Sequence, residues 1–327
     1  MSCDVLCLRP EADFLRAGVK PPERLKIAYR TLDDPDTPVV MRDARALVIS
    51  AVGPRLPAAL FENTAVRLVQ VTGAGVDRVD ETTMRRLNIP VCNVPGGSNG
   101  AVAEYAVTAA SVLLRRFAWA DAEIRGGSYT AFRARMLNDN LPGLDGLTVG
   151  VIGMGTIGVA AAQAFRTRGC AIVYFDPAPR DPSVILSTGG EPVSLDRLLR
   201  TSDVITLHVP LLPSTRGLIG APQLASMKPG AVLIQVARGG VVDEQALALS
   251  LESGHLGGAA VDVYAQEPPP PDHPLLSLGN DAARRLLLTP HVAGITRQST
   301  AVLFTRAWDN VARVLIDGAA PVNRVYY

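Results

Sequence analysis

The feature that most constrains the fold of this chain is a glycine-rich segment, VIGMGTIG at 151–158, which lies between an apolar run and an alanine-rich run. Gly153, Gly155 and Gly158 have the GxGxxG spacing. After a strand, the first of these glycines permits a tight turn, and the third lets the following helix pack closely on the strand. The segment therefore predicts a strand–turn–helix unit of a parallel α/β sheet.

Strand-length apolar runs alternate with helical patterns over most of the chain. The apolar runs are ALVIS near 46, RLVQVTG near 67, LTVGVIG near 147, AIVYFD near 171 and DVITLHV near 203. Helices are predicted over 101–115, 156–168 and 195–199. Such alternation is typical of doubly wound sheets, and 327 residues exceed what one core usually supports. The predicted fold class is α/β, with two doubly wound parallel-sheet domains.

Two segments are candidate hinges between these domains. VPGGSNG at 94–100 contains three glycines and a proline, and a second candidate lies near Pro290. The predicted domains are therefore 99–290, which contains the glycine-rich turn, and 1–98 together with 291–327. The segment after the second hinge is too short for an added regulatory domain, so none is expected.

The glycine-rich turn also predicts a dinucleotide site. Gly155 lets the backbone approach a pyrophosphate, and the N–H groups of Thr156 and Ile157 at the helix start would face the phosphates. Asp176 ends the next strand, where a carboxylate accepts hydrogen bonds from ribose hydroxyls and repels a 2′-phosphate. NAD is therefore expected and NADP is less favoured, with Arg180 as a nearby cation that weakens the preference.

Composition excludes several function classes. Lys and Arg total 32 against 31 Asp and Glu, so no net charge favours nucleic acid or an anionic membrane. The longest charge-free apolar stretch, 105–114, is too short to span a bilayer, and the first residues lack a secretory signal pattern. The four cysteines contain no CxxC pair and predict free thiols. We expect a cytoplasmic protein without a metal site, whose ligand is a small molecule.

Histidine is the usual proton donor near neutral pH, and the chain has 4. His255 and His273 lie in loop-like sequence, which favours solvated imidazoles. His208 and His291 each follow an apolar run, so either could stand at the carboxyl end of a strand, where open α/β sheets bind ligands. The pattern alone does not choose between these two.

Three charged residues are candidates to act with such a histidine. Arg238 follows the apolar run AVLIQVA and precedes two glycines, and its guanidinium suits bidentate binding of a carboxylate. Asp262 and Glu267 follow the small-residue run HLGGAAV, and one of these carboxylates could orient and charge a histidine. The residues thus indicate acid–base chemistry on a small carboxylic acid.

Further motifs occur in a fixed order along the chain: GAGVDRVD at 73, VPGGSNGAVAE at 94, GLTVGVIGMGTIG at 146, ARGGVVDEQAL at 237, LGGAAVDVYAQEP at 256 and TPHVAGIT at 289. Over about residues 45–317 the sequence closely resembles the D-isomer-specific 2-hydroxyacid dehydrogenase family. The resemblance implies a Rossmann dinucleotide-binding domain inserted in a flavodoxin-like substrate domain. It also implies an NAD-dependent oxidoreductase acting on a small D-2-hydroxy or 2-keto acid, and a homodimer formed through the cofactor domain with contacts within 101–141.

The resemblance also implies residue roles. His291 would be the general acid and base, Glu267 its partner, and Arg238 the group that binds the substrate carboxylate and carbonyl. Ala74, Gly75 and Ser98 would bind substrate, with the first two using their backbone N–H groups. The implied cofactor-binding residues are Gly153, Gly155, Thr156, Ile157, Gly158, Asp176, His208, Val209, Pro210, Thr215, Val236, Ala237, Asp262 and Gly294.

Some positions depart from the commonest family pattern, and other functions compete. Gln235 stands where asparagine is frequent, and Tyr129 where tryptophan is common. A formate or phosphite dehydrogenase is one alternative, against which Glu267 counts, because formate dehydrogenases carry glutamine there. An NAD(H)-sensing binding protein, like the corepressors that resemble this family, is the other, and a turnover assay would discriminate. The sequence does not identify the acid.

Overall fold

The computed structural model describes residues 3–326. Two compact units are present: the described residues of Met1–Ser98 with Ile295–Tyr327 form the first, and Asn99–Gly294 forms the second. The second division follows Gly294, four residues after the predicted boundary at Pro290. The reason is local, because the backbone N–H groups of Val292 and Ala293 donate to the carboxylate of Asp262, which ties this loop to the second unit.

The elements follow one another in a regular alternation. The strands are β1 (Val5–Cys7), β2 (Ile27–Tyr29), β3 (Ala46–Ile49), β4 (Val69–Val71), β5 (Val91–Cys92), β6 (Thr148–Ile152), β7 (Ala171–Phe175), β8 (Glu191–Pro192), β9 (Val204–Leu207), β10 (Val232–Gln235), β11 (Gly258–Val261) and β12 (Leu286–Leu288). The helices are α1 (Glu11–Arg16), α2 (Thr37–Asp43), α3 (Glu81–Arg86), α4 (Asn99–Leu114), α5 (Phe117–Arg125), α6 (Tyr129–Asp139), α7 (Thr156–Arg166), α8 (Pro182–Thr188), α9 (Leu195–Thr201), α10 (Ala221–Ser226), α11 (Glu244–Glu252), α12 (Asn280–Ala283) and α13 (Arg297–Leu315). Short 3₁₀ turns lie at Ala58–Phe61 and Pro274–Leu276.

The first unit is a five-stranded sheet in the order β2-β1-β3-β4-β5, and every pair is parallel. The strands β1, β3, β4 and β5 are buried throughout, as expected where helices cover both faces. The strand order is that of flavodoxin-like sheets.

Helix α13 joins the C-terminal segment to this sheet. Phe304 and Trp308 of α13 pack on Phe14 of α1, with ring centroids 4.6 and 5.3 Å apart. Asn310, 3% exposed, donates from its amide to the side-chain oxygen of Gln70 at 2.6 Å, and Gln70 lies within β4. A buried amide pair without partners would be costly, so this hydrogen bond fixes the orientation of α13 on the sheet.

The second unit is a seven-stranded parallel sheet in the order β12-β11-β10-β9-β6-β7-β8. Within this sheet the first strand in the sequence is β6. The chain then forms β7 and β8 towards one edge and returns to form β9 on the other side of β6. This reversal creates the switch point at which doubly wound sheets bind ligands, at the carboxyl ends of the strands. Side chains alternate between two cores, so Val151 packs with α4 and α7, whereas Ile152 packs with α9, α10 and α11.

The predicted fold class is confirmed: both sheets are parallel and have helices on both faces. The predicted helices are present with small shifts of their ends, since α4 starts at Asn99, α7 ends at Arg166 and α9 continues to Thr201. Cys7, Cys92 and Cys170 are buried free thiols, and Cys3 is a half-buried one. Within residues 3–326, no helix combines the length and apolarity needed to cross a membrane.

Candidate functional site

The turn between β6 and α7 fits a dinucleotide phosphate group. Gly153 has φ 91°, a left-handed conformation that favours glycine, and a Cβ on Gly158 would lie 1.9 Å from the carbonyl oxygen of Gly153. A Cβ on Gly155 would meet nothing within 4 Å, so the space over this backbone is open. Gly155 is the N-cap of α7 and supplies no side-chain cap, which leaves first-turn N–H groups, including those of Thr156 and Ile157, for an anion.

Asp176 follows β7 at the same edge of the sheet. Its carboxylate is 4% exposed and accepts hydrogen bonds from the N–H of Met154 at 2.7 Å and the N–H of Ala178 at 2.9 Å. Arg180 donates to the same carboxylate at 2.5 and 2.9 Å. The cation that weakens the expected preference for NAD therefore lies directly on the acid that creates this preference.

The remaining cofactor candidates also follow strands of the seven-stranded sheet. His208, Val209 and Pro210 come after β9, Val236 and Ala237 after β10, Asp262 after β11, and Gly294 ends the loop after β12. Thr215 closes the turn after β9, because its hydroxyl donates to the carbonyl of Pro210 at 2.6 Å. Parallel strands present their carboxyl ends at one edge, so these residues share the edge at which such sheets bind ligands.

His208 is bonded on one side only. Its Nε2 lies 2.9 Å from the hydroxyl of Thr206, while its Nδ1 is buried without a hydrogen-bond partner among residues 3–326. Burial lowers the pKa of His208 to about 3, so the ring is neutral at physiological pH. A neutral ring with a spare nitrogen can serve a ligand as a hydrogen-bonding group.

His291 and Glu267 form a hydrogen-bonded pair. Nδ1 of His291 lies 2.9 Å from Oε2 and 3.0 Å from Oε1 of Glu267, and the two side chains are 26% and 27% exposed. His291 has φ 56°, a left-handed backbone conformation that is unusual for a residue with a side chain. Because Nδ1 is engaged by the carboxylate, Nε2 is the nitrogen that can exchange a proton with a substrate.

The environment keeps Glu267 ionised. Burial alone would raise the pKa of Glu267, but hydrogen bonds from His291 and from the N–H of Tyr264, together with the positive charges of His291 and Arg238, outweigh it. The pKa of Glu267 is consequently held below the ordinary value of a glutamate. A carboxylate in this state can stabilise the charged form of an imidazole.

Backbone contacts fix the two loops that carry this pair. The N–H of Tyr264 donates to Oε1 of Glu267 at 3.1 Å, and the hydroxyl of Tyr264 donates to the carbonyl of Thr289 at 3.0 Å. The N–H of His291 donates to the carbonyl of Asp262 at 2.8 Å. The loops after β11 and β12 are thus held together on both sides of the histidine–glutamate pair.

The carboxylate of Asp262 is 2% exposed and has protein donors on both oxygens. Oδ1 accepts from the hydroxyl of Thr289 at 2.6 Å and the N–H of Val292 at 2.8 Å, and Oδ2 accepts from the N–H of Ala293 at 2.8 Å. These contacts hold the His291 loop. The contact with the nicotinamide carboxamide that the resemblance implies for Asp262 stays a prediction.

Arg238 lies in a turn that is held by the side chain of Gln235 and packs against the loop that carries Glu267. Gln235, 2% exposed, donates from Nε2 to the carbonyl of Arg238 at 2.9 Å and accepts from the N–H of Ala237 at 3.2 Å. A Cβ on Gly239 would lie 1.8 Å from the carbonyl oxygen of Tyr264, so only glycine allows this approach. Gln235 therefore has a structural role, which its sequence position alone does not indicate.

One expectation about the histidines is wrong. His273 is not a solvated imidazole: it is 5% exposed, and its Nε2 lies 2.8 Å from Oε2 of Glu244. His255 is half-buried, with Nε2 3.1 Å from the carbonyl of Leu224. Proline-rich flanking sequence suggested exposure, but no pattern in one sequence could place Glu244 of α11 opposite His273.

The predicted substrate residues belong to the first unit. Ala74 and Gly75 lie in the loop after β4, where the amide of Asn93 donates to the carbonyl of Ala74 at 2.7 Å. Ser98 is the last residue of that unit before α4. Arg78, 6% exposed, donates to the carbonyls of Pro54 and Ser50 at 2.9 and 3.2 Å and so holds the loop after β3, a role that was not predicted from the sequence.

Residues 3–326 contain no cluster of three or more His, Cys, Asp or Glu side chains suited to a metal ion.

Comparisons with known proteins identify the family. Residues 107–293 match the model described as D-isomer specific 2-hydroxyacid dehydrogenase, NAD binding domain. A glyoxylate reductase of Korarchaeum cryptofilum is 35% identical over 274 residues, which are 83% of this chain and 80% of that protein. A D-3-phosphoglycerate dehydrogenase of Archaeoglobus fulgidus is 36% identical over 234 residues, which are 72% of this chain but only 42% of that longer protein.

A solved structure with NAD bound has the same fold. The NAD-dependent formate dehydrogenase of Staphylococcus aureus in complex with NAD superposes with a TM-score of 0.82 at 25% identity, over 99% of this chain and 98% of that one. The comparisons do not favour the alternative of an NAD(H)-sensing binding protein. The chain belongs to the D-isomer specific 2-hydroxyacid dehydrogenase family and is an NAD-dependent oxidoreductase of that family.

Proposed function

We propose that the protein transfers a hydride between NAD(H) and C2 of a small D-2-hydroxy acid or the corresponding 2-keto acid. His291 is the general acid and base, Glu267 is its partner, and Arg238 binds the substrate carboxylate and carbonyl. The single observation that carries the proposal is the 2.9 Å contact of His291 Nδ1 with Glu267, formed at the ligand-binding edge of the seven-stranded sheet. A histidine held in this way is suited to proton transfer through its other nitrogen.

In the reduction direction, NADH supplies the hydride. Protonated His291 donates from Nε2 to the substrate oxygen as negative charge develops there, while ionised Glu267 stabilises the charged imidazole through Nδ1. Arg238 stabilises the same developing charge by electrostatic attraction. In the oxidation direction, His291 accepts the hydroxyl proton on Nε2. The low pKa of Glu267 supports its part, because the carboxylate stays ionised throughout the neutral pH range.

The substrate class that we propose is a small 2-keto acid, with backbone N–H groups of Ala74 and Gly75 on its carboxylate and Ser98 nearby. A relative named glyoxylate reductase supports a small acid. We further propose that the first unit is the substrate domain and the second unit the dinucleotide-binding domain. The match of residues 107–293 to an NAD-binding family model supports the latter assignment.

The cofactor contacts that we propose follow the edge described above. First-turn N–H groups of α7 bind the pyrophosphate over Gly155, and Asp176 accepts hydrogen bonds from the adenosine ribose. His208, with its neutral ring and spare Nδ1, lines the cofactor site together with the residues after β10 and β12. Open space over Gly155 and the buried unpartnered nitrogen of His208 support this arrangement.

We also propose a cytoplasmic homodimer whose contacts lie within 101–141. Large apolar side chains of α5 and α6 are exposed there: Phe117 (49%), Ile124 (46%), Tyr129 (61%) and Leu137 (62%). Such a concentration of exposed apolar surface is typical of an interface. Analytical ultracentrifugation gives the mass in solution of the purified protein and of a Leu137→Glu variant. We expect a dimer and a monomer, respectively, and the same mass for both would contradict a dimer through this face.

The experiment that tests the reaction is NADH oxidation by the purified protein with glyoxylate, pyruvate, hydroxypyruvate, phenylpyruvate and longer 2-keto acids, repeated with NADPH. His291→Ala is the test variant. His255→Ala is the matched control, because His255 is not one of the proposed catalytic or binding residues and its Nε2 lies 3.1 Å from the backbone carbonyl of Leu224. We expect turnover that is lost in His291→Ala and retained in His255→Ala. NADH binding without turnover of any acid would contradict the proposal.

A further inference from the structure

A second histidine–carboxylate pair lies outside the proposed catalytic residues. Nε2 of His273 is 2.8 Å from Oε2 of Glu244, and the two side chains are only 6% and 13% exposed. His273 caps the short 3₁₀ turn that starts at Pro274, because its Nδ1 accepts from the N–H of Leu275 at 3.3 Å. Since Nδ1 acts as an acceptor, the proton on the ring is carried by Nε2 and is donated to Glu244.

The same carboxylate makes a second contact. Oε1 of Glu244 accepts from the N–H of Ala265 at 2.7 Å. Glu244 therefore binds Ala265 and His273, which are the two ends of the segment that carries Glu267. Glu244 itself is fixed, because it is the first residue of α11, whose N-cap Asp243 accepts from the N–H of Ala246.

The segment between these two contacts is stiff. Four successive prolines occupy 268–271, and each fixes its own φ and restricts the residue before it. A stiff segment fixed at both ends has few ways to move its first residues. Those first residues include Glu267, and the neighbouring N–H of Tyr264 donates to that glutamate.

The ring of His273 also packs against Tyr264. The two ring centroids are 5.9 Å apart with the planes at 87°, an edge-to-face arrangement. Tyr264 in turn links the Glu267 loop to the His291 loop through its hydroxyl and the carbonyl of Thr289. The His273 side chain thus supports the residue that connects both halves of the proposed catalytic pair.

We propose that Glu244 and His273 are positioning residues that hold Glu267 against His291. This inference rests on the proposed function, since it assigns a purpose to the Glu267 geometry. Neither residue touches the reacting atoms. At metal sites, groups that orient a ligating side chain change activity by about 10- to 100-fold when removed, and we expect an effect at the lower end of that range here.

A double-mutant cycle tests the proposal. Turnover is measured for the wild type, Glu244→Ala, Glu267→Ala and the double variant, with the 2-keto acid of the panel that is converted fastest. If Glu244 acts through Glu267, we expect Glu244→Ala to lower kcat about tenfold with little change in the KM for NADH, and to lower it less than about twofold when Glu267 is already alanine. Equal losses in the two backgrounds, or no loss in either, would overturn the proposal.

The chain offers a matched control on the same helix. Glu252 ends α11 and accepts from the N–H of Gly279 at 2.7 Å, so it makes the same kind of contact to a different loop. Glu252→Ala should leave kcat within about twofold of the wild type. A loss as large as that of Glu244→Ala would mean that any damage to α11 lowers activity, which also contradicts a specific positioning role.

Hydrogen exchange gives a readout that does not depend on turnover. Peptides covering 262–275 should exchange faster in Glu244→Ala than in the wild type or Glu252→Ala, while peptides from β6 and α7 are unchanged. Unchanged exchange in 262–275 would overturn the proposal. If Glu244→Ala does not fold, Glu244→Gln is used in its place. The carbonyl oxygen of the glutamine side chain keeps the contact with the N–H of Ala265, while its NH₂ group cannot accept a hydrogen bond from Nε2 of His273.

These results separate the inference from the function on which it rests. If Glu267→Ala and His291→Ala both keep full turnover, the proposed function is wrong, whatever the exchange data show. If both variants lose turnover but the Glu244 effect is absent or additive, the function stands and the positioning role is wrong.

Discussion

The two histidine–carboxylate pairs of the second unit have nearly the same contact distance but different surroundings. His291 and Glu267 are 2.9 Å apart and about one quarter exposed, whereas His273 and Glu244 are 2.8 Å apart and almost fully buried. The first pair engages Nδ1 and leaves Nε2 available, while the second engages Nε2 and uses Nδ1 for a backbone N–H. A short histidine–carboxylate contact therefore does not by itself mark a catalytic group; exposure and the free nitrogen decide.

The largest effect should come from removing the available nitrogen. His291→Ala should lower kcat about 100-fold or more, because it removes the proposed proton donor and acceptor. The decrease is measured as NADH oxidation at saturating 2-keto acid. If His291→Ala kept more than about one tenth of wild-type kcat, the proposed difference between a catalytic pair and a positioning pair would be contradicted.

The buried pair should matter more for stability than the exposed one. Glu244→Ala leaves the Nε2 proton of His273 and the N–H of Ala265 without their acceptor, at a cost of about 1–3 kcal/mol in the free energy of unfolding. Glu267→Ala should cost less than about 1 kcal/mol, because water can reach its partners. Urea unfolding of both variants checks this order, and the reverse order would contradict it.

Removing only the charge of the exposed pair should have an intermediate effect on turnover. Glu267→Gln keeps an acceptor for His291 but not the negative charge, and we expect kcat near neutral pH to fall about tenfold.

The same substitution should change how stability depends on pH. Since the pKa of Glu267 is lowered in the folded state, its ionised form stabilises the wild type above the ordinary glutamate value of 4.5, and this contribution is lost as the pH falls through the folded value. The stability difference between wild type and Glu267→Gln should therefore shrink as the pH falls into the acid range. Urea unfolding of both proteins over a range of pH measures this difference. A stability difference that grows in acid would contradict the lowered pKa of Glu267.

A third histidine, bonded to a hydroxyl instead of a carboxylate, sharpens the comparison. The pKa of His208 is lowered by burial to about 3, so the folded state resists protonation that the unfolded state accepts below about 6.5. The wild type should lose about 1 kcal/mol of stability through this group between pH 7.5 and 5.5, and His208→Gln should lose correspondingly less. Urea unfolding at the two pH values gives the free energy of unfolding of each protein. Equal changes between the two pH values in the wild type and in His208→Gln would contradict the prediction.

Much of the fold follows from local sequence. The alternation of apolar runs with helical patterns predicts both parallel sheets, and the glycine spacing at 151–158 predicts the β6–α7 turn. Short or atypical elements are harder to predict. Strand β2 is only half-buried, and α5 and α6 expose apolar side chains, so none of the three shows the periodicity that identifies an element in one sequence.

The candidate site divides in the same way. The chemical types at Arg238, Glu267 and His291 could be proposed from position after apolar runs, although the choice of His291 over His208 depended on the family resemblance. The supporting contacts could not be proposed at all. Gln235 binds backbone groups of Ala237 and Arg238, and Tyr264 uses its own backbone N–H, so in both contacts one partner is a backbone group that residue type does not reveal.

By itself, then, the sequence determined the class of fold, the glycine-rich turn and the kinds of groups that can carry the chemistry, because periodicity, turn geometry and functional-group chemistry are local properties. Only the tertiary structure decided which histidine is buried, which nitrogen each carboxylate engages, and where the second unit ends. Those outcomes depend on residues far apart in the chain, such as Glu244 and His273, meeting where water is excluded. Hydrogen bonding and burial at such meeting points set the protonation and the position of each group, and neither can be read from one segment alone.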